Sequence, residues 1–148
     1  MPMSQLPPRP ISRPDRDLLV FVTSIILAAF GLFGLWAMYQ VSNGGSAEQV
    51  GLTPELFAFS VAGAAYQLVV GALGVANAAK PERSLLLIVL GFGLIAMHAG
   101  SLVLSFMDQV DSGTSFWGFL LPIAFVAGAF SLKRQRDWQQ KQAAGQGR

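Results

Sequence analysis

The stretch LFAFSVAGAAYQLVVGALGVANAAKPERSLLLIVLGFGLIAMHAGSLVLSFM, residues 56–107, decides the fold. Two apolar runs, 56–79 and 85–107, flank the connection Lys80-Pro81-Glu82-Arg83-Ser84. At about 1.5 Å per residue, each run is long enough to cross a hydrocarbon core of about 30 Å as a helix. A connection this short makes the two helices antiparallel neighbours. Lys80 and Arg83 mark the turn as cytoplasmic, because cationic loops are retained on that face.

The rest of the chain follows the same pattern. All ten Lys and Arg residues fall in three stretches: Arg9, Arg13 and Arg16; then Lys80 and Arg83; then Lys133, Arg134, Arg136, Lys141 and Arg148. Between them lie four apolar runs without a basic residue, at about 18–41, 56–79, 85–107 and 116–132. The pattern predicts an all-α, four-span transmembrane bundle with cytoplasmic N- and C-termini. A proline-rich arm (1–17) precedes the membrane domain (18–132), and a basic tail (133–148) follows it. Residues 18–41 exceed the roughly 7–15 apolar residues of a cleaved signal peptide, so they read as an uncleaved anchor.

Composition agrees. The chain is 53% hydrophobic and 12% charged, against about 25% charged in soluble domains. Ten basic residues set against Asp15, Asp17, Glu82 and Asp137 leave the inner side at +6; Glu48, Glu55, Asp108 and Asp111 leave the outer side at −4. That asymmetry points to an anionic inner leaflet as partner and not to nucleic acid, with Lys133, Arg134 and Arg136 at the lipid headgroups. The absence of cysteine excludes disulfides, thiolate metal sites and thiol catalysis.

Interfacial features sit where the spans end. Trp36 and Tyr39 mark the outer end of the first span, and Trp117 the outer edge of the fourth. Thr53-Pro54 is a good N-cap and first-turn pair for the second helix. Pro122 falls inside the fourth span, where it frees the carbonyl of Gly118 and predicts a bend that could act as a hinge. Beyond Leu132 the helix is expected to continue, resting Trp138 and its basic neighbours on the inner leaflet. The arm, with five of the eight prolines, reads as an extended solvated tail that could also serve as a proline-rich ligand.

Helices in lipid associate through small residues that let backbones approach. The first span offers Gly31 and Gly34; the second Ser60, Gly63, Gly71 and Gly74; the third Gly93 and Gly100; the fourth Gly128. These seams predict a compact bundle, and they could equally join protein copies or other membrane subunits.

Polar groups at membrane depth are costly and so are candidates for function. Gln67 and His98 lie at nearly the same distance from the outer ends of spans two and three, roughly 17 and 14 Å. They are expected to share a hydrogen bond, with Tyr66 or Ser101 as a further partner. The plain role is to satisfy two buried groups and fix helix rotation, contributing about 1 kcal/mol or less. The sharper role is proton or ligand binding by imidazole. Asn77, Thr23 and Ser24 are expected to bond their own helices.

No nucleophile–base pair, embedded carboxylate, metal cluster or cofactor signature is visible, so a non-enzyme is expected, with no cofactor and no metal. The first span has no acid, unlike small multidrug exporters, and complete positive-inside bias is unlike dual-topology fluoride channels. The segment Tyr66–Gly93, with Gly71 and Gly74, Asn77-Ala78, Lys80-Pro81 and Gly91, resembles the middle hairpin of a loose group of small, largely uncharacterised bacterial four-helix membrane proteins. That resemblance implies a bacterial plasma-membrane location and carries no activity. The reading is a multi-pass accessory or scaffold subunit acting through helix contacts. The alternative is a small-solute transporter or channel using Gln67 and His98.

Overall fold

The computed structural model describes residues 17–44, 52–108 and 116–145, without the side chains of Asp108, Phe116 and Trp117. The proline-rich arm, the acidic residues Glu48 and Asp111 expected in outer loops, the anchoring role expected of Trp117 and the last three residues therefore lie outside the described residues. Those described are almost wholly helical, with no strand: α1 (Leu18–Gly44), α2 (Pro54–Asn77), α3 (Ser84–Asp108) and α4 (Leu120–Gly145), plus 3-10 turns at Pro81–Arg83 and Phe116–Phe119. Three helical stretches, Leu18–Gly44, Pro54–Asn77 and Pro81–Met107, are long and apolar enough to cross a membrane. In α4 the apolar residues give way after Leu132 to a basic, polar segment within one unbroken helix.

Each helix start has a local cause. The Asp17 carboxylate accepts from the amides of Leu19 and Val20, both at 3.1 Å, capping α1. Its own amide donates to the Ala78 carbonyl at 3.0 Å and so ties the start of α1 to the end of α2. As the sequence indicates, Thr53 caps α2, its hydroxyl accepting from Leu56 N at 3.3 Å with Pro54 in the first turn. Thr23, Ser24 and Asn77 also behave as expected. Thr23 donates to Leu19 O (2.6 Å), Ser24 to Val20 O (2.5 Å) and the Asn77 amide to Leu73 O (2.7 Å), each satisfied within its own helix.

The helices pack as an antiparallel ring in which α1 meets α2, α2 meets α3, α3 meets α4 and α4 returns to α1. The α1–α2 pair approaches most closely. A β-carbon added at Gly31 would stand 2.5 Å from Leu68 N and 2.8 Å from Ala64 O; one at Gly71 would stand 2.5 Å from Ala28 N and 2.7 Å from Ser24 O. Those partners are backbone atoms, which cannot rotate aside.

Phe125 of α4 is fully buried at the centre. Its ring occupies the space a side chain at Gly74 of α2 or Gly91 of α3 would take, at 2.8 and 3.0 Å from the missing β-carbons. Val20, Leu27, Val70, Leu87, Leu94, Ala129 and Leu132 complete this core. It belongs to the half of the bundle that contains Asp17, Ala78 and the Pro81–Arg83 turn. Towards the other end α4 gives out, and no residue of α3 beyond Leu94 is buried among those described. The large apolar side chains there, such as Phe33, Trp36, Phe106 and Met107, face outward, as lipid-facing groups do.

Candidate functional site

Gln67 and His98 stand at the level where α4 begins. Gln67 Nε2 is 3.4 Å from His98 Nε2, and His98 Nδ1 is 2.9 Å from the Leu94 carbonyl oxygen one turn back on α3. A carbonyl only accepts, so Nδ1 carries a hydrogen. In the neutral ring, Nε2 then holds a lone pair and accepts from the Gln67 amide. The contact is at the long end for a hydrogen bond, hence weak.

The third wall is the 3-10 turn before α4. A β-carbon at Gly118 would lie 3.2 Å from His98 Cδ2 and 3.6 Å from Nε2, so the absence of a side chain there leaves room for the imidazole. The Phe119 ring lies against it with centroids 5.7 Å apart and planes tilted by 58°. Both Gln67 and His98 are half-buried. Tyr66, expected as an extra partner, turns its hydroxyl away from the pair. The Tyr66 hydroxyl donates to Leu90 O at 3.1 Å, and the Ser101 carbonyl accepts from Ser105 at 2.8 Å.

The small residues named from the sequence nearly all face inward. Gly31 and Gly34 face Ala64 on α2, Gly71 and Gly74 face Ser24 on α1, and Gly93 and Gly100 admit Tyr66 and Phe59 of α2 against α3. Gly128 lies against Val20, with its amide 3.0 Å from the missing β-carbon. Gly63 is the loose one, with only Met97 Cε within reach at 3.8 Å.

Pro122 is the third residue of α4 and not an interior one, because residues 116–119 form a 3-10 turn. Amides in a helix's first turn have no intrahelical acceptor, so proline there frees no carbonyl and imposes no mid-helix bend. The hinge expected from its place in the span thus becomes a buried first-turn residue.

At the opposite end, the Pro81–Arg83 turn packs against α4, with Pro81 buried, and brings Lys80 and Arg83 to the same end as Lys133, Arg134 and Arg136. Arg136 bridges its neighbour Asp137 at 3.3 Å, so part of its charge is offset locally. Among the described residues, neither Lys133 nor Arg134 forms an ion pair. Among the described residues, no group of three or more His, Asp or Glu side chains is placed to hold a metal ion.

Three contributors escaped sequence reasoning. Asp17 reads in the sequence as a charge of the arm, although an acid immediately before an apolar run is also an N-cap signal. Gly118 and Phe119 gave no local signal, since their role depends on where α4 starts beside α3. No family model matches the chain, and no curated protein or solved structure matches it either.

Proposed function

We propose that this chain is a multi-pass integral membrane protein of a plasma membrane, with α4 as a fourth span and both termini on the cytoplasmic side. In this reading it is an accessory or scaffold subunit of a larger membrane assembly and not an enzyme. One observation carries it: the inward faces of the helices are committed to one another through glycines and Phe125, while the polar end of α4 from Trp138 to Gly145 is exposed along its whole length. What remains for work is the exterior, made of large apolar side chains and a basic helix end.

The gathering of Lys80, Arg83, Lys133 and Arg134 at one end supports the inner placement of that end and contact with anionic headgroups, each cation contributing roughly 1 kcal/mol near such a surface. Trp138, exposed one turn from Arg134 and one from Lys141, suits the headgroup layer or a partner's surface.

Extraction of the tagged full chain from its native membrane in mild detergent tests the reading. A copurifying membrane protein or a defined homo-oligomer, reduced when Arg134, Trp138 and Lys141 are replaced together by Gln, supports it. A lone monomer under every mild condition contradicts it.

A further inference from the structure

We infer that His98 is a proton-binding site whose state Gln67 reads by reversing its side-chain amide. The inference does not depend on the accessory-subunit reading.

His98 Nδ1 donates to the Leu94 carbonyl at 2.9 Å and is therefore protonated whether the imidazole is neutral or cationic. Only Nε2 can gain or lose a proton, and Nε2 is the atom that faces Gln67 at 3.4 Å. In the neutral state the Gln67 NH2 donates to the Nε2 lone pair. When Nε2 takes a proton from water, it becomes a second donor and can no longer accept. A half-turn of the Gln67 amide then presents Oε1, which accepts the new N–H.

A primary amide is suited to this place because it carries a donor and an acceptor on one pivot. A carbonyl would suit only the protonated ring and an ammonium only the neutral one, and the other state would leave a half-buried polar group unpaired. With Gln67 both states are satisfied, so the α2–α3 link persists while its direction reverses.

Among the described residues, no charged side chain contacts the ring. From α2 the ring meets Gln67, with Tyr66 turned to Leu90; from α3 it meets the Leu94 carbonyl; from the turn before α4 it meets Gly118 and Phe119. Residues 18–41, 56–79, 85–107 and 116–132 contain no Asp, Glu, Lys or Arg. Proton uptake therefore creates the only side-chain charge within these four runs. The Phe119 ring, its centroid 5.7 Å from that of the imidazole, is within reach of a cation–π contact that favours it. Because Gly118 and Phe119 lead directly into α4, the charge change is felt where the third and fourth helices join.

His98 is the sole histidine of the chain, so its ring can be observed without assignment ambiguity. The test is nitrogen NMR of the full chain, labelled at histidine ring and glutamine side-chain nitrogens, in phosphatidylcholine bicelles. It is scanned over about pH 5–8, the range in which imidazole side chains change charge.

The expected result is Nδ1 protonated and Nε2 bare at the upper end, with Nε2 gaining its proton on acidification. The Gln67 amide resonances should move with the same midpoint. In Gln67→Leu the Nδ1–H form is kept and the companion amide change is lost. Nε2 protonated and Nδ1 bare at the upper end, a ring unchanged across the range, or Gln67 resonances indifferent to the ring would each overturn the inference. Should Gln67→Leu fail to fold, the wild-type amide response alone decides.

Discussion

Gly31 of α1 and Gly71 of α2 play the same part in opposite directions: each offers a bare α-carbon to the backbone of the other's helix. Gly31 lies against residues 64–68 and Gly71 against residues 24–28, with no side chain between. In lipid, where hiding apolar area from neighbouring tails gains little, such approach lets dispersion contacts hold two helices together.

Gly71→Ala should destabilise the bundle by about 2 kcal/mol, because the added methyl meets Ala28 N and Ser24 O, neither of which can move without shifting α1. Gly63→Ala has an ordinary 3.8 Å neighbour and should leave stability unchanged or raise it by up to about 1 kcal/mol through helix propensity. Reversible denaturation in micelles separates the two. Equal effects would refute the assignment of the seam.

Phe125→Ala removes the ring seated against Gly74 and Gly91 and should cost about 3 kcal/mol or more. Phe106→Ala, at a side chain 82% exposed, should cost little in the same assay.

These two predictions show what was legible in the sequence. Hydropathy and Lys/Arg placement suffice for helix number, near-correct ends and the antiparallel hairpin, because length and charge act locally. Depth along two antiparallel helices was enough to set Gln67 opposite His98. Spacing alone could not apportion glycines among neighbours: Gly63 and Gly71 share a face of α2, yet only Gly71 meets backbone. Nor could it show that 116–119 would wind as a 3-10 turn, which moves Pro122 into the first turn of α4 and sets Gly118 beside His98. Both depend on how helices already formed settle against one another.

Asp17→Ala should lower stability by about 1 kcal/mol through loss of the cap on Leu19 and Val20, while Asp17→Asn keeps most of it. Thermal unfolding followed by circular dichroism reads the difference. An Asn variant as weak as the Ala variant would mean that the carboxylate acts through charge instead.

Ser84 Oγ, at the start of α3, is buried without a hydrogen-bond partner among the described residues. Ser84→Ala should therefore be neutral or stabilising by about 1 kcal/mol in the same unfolding assay. A clear loss of stability would show that the hydroxyl is bonded after all.

The threading of the chain through the membrane is the claim on which the rest stands, and the absence of cysteine makes it directly measurable. Single cysteines at Gly44, Lys80, Met107 and Lys133 can be probed in intact cells with a membrane-impermeant maleimide. Positions 44 and 107 should label from outside, and positions 80 and 133 only after the membrane is opened. Labelling of 80 or 133 in sealed cells, or of 44 or 107 only after opening, would contradict the four-span arrangement with both termini inside.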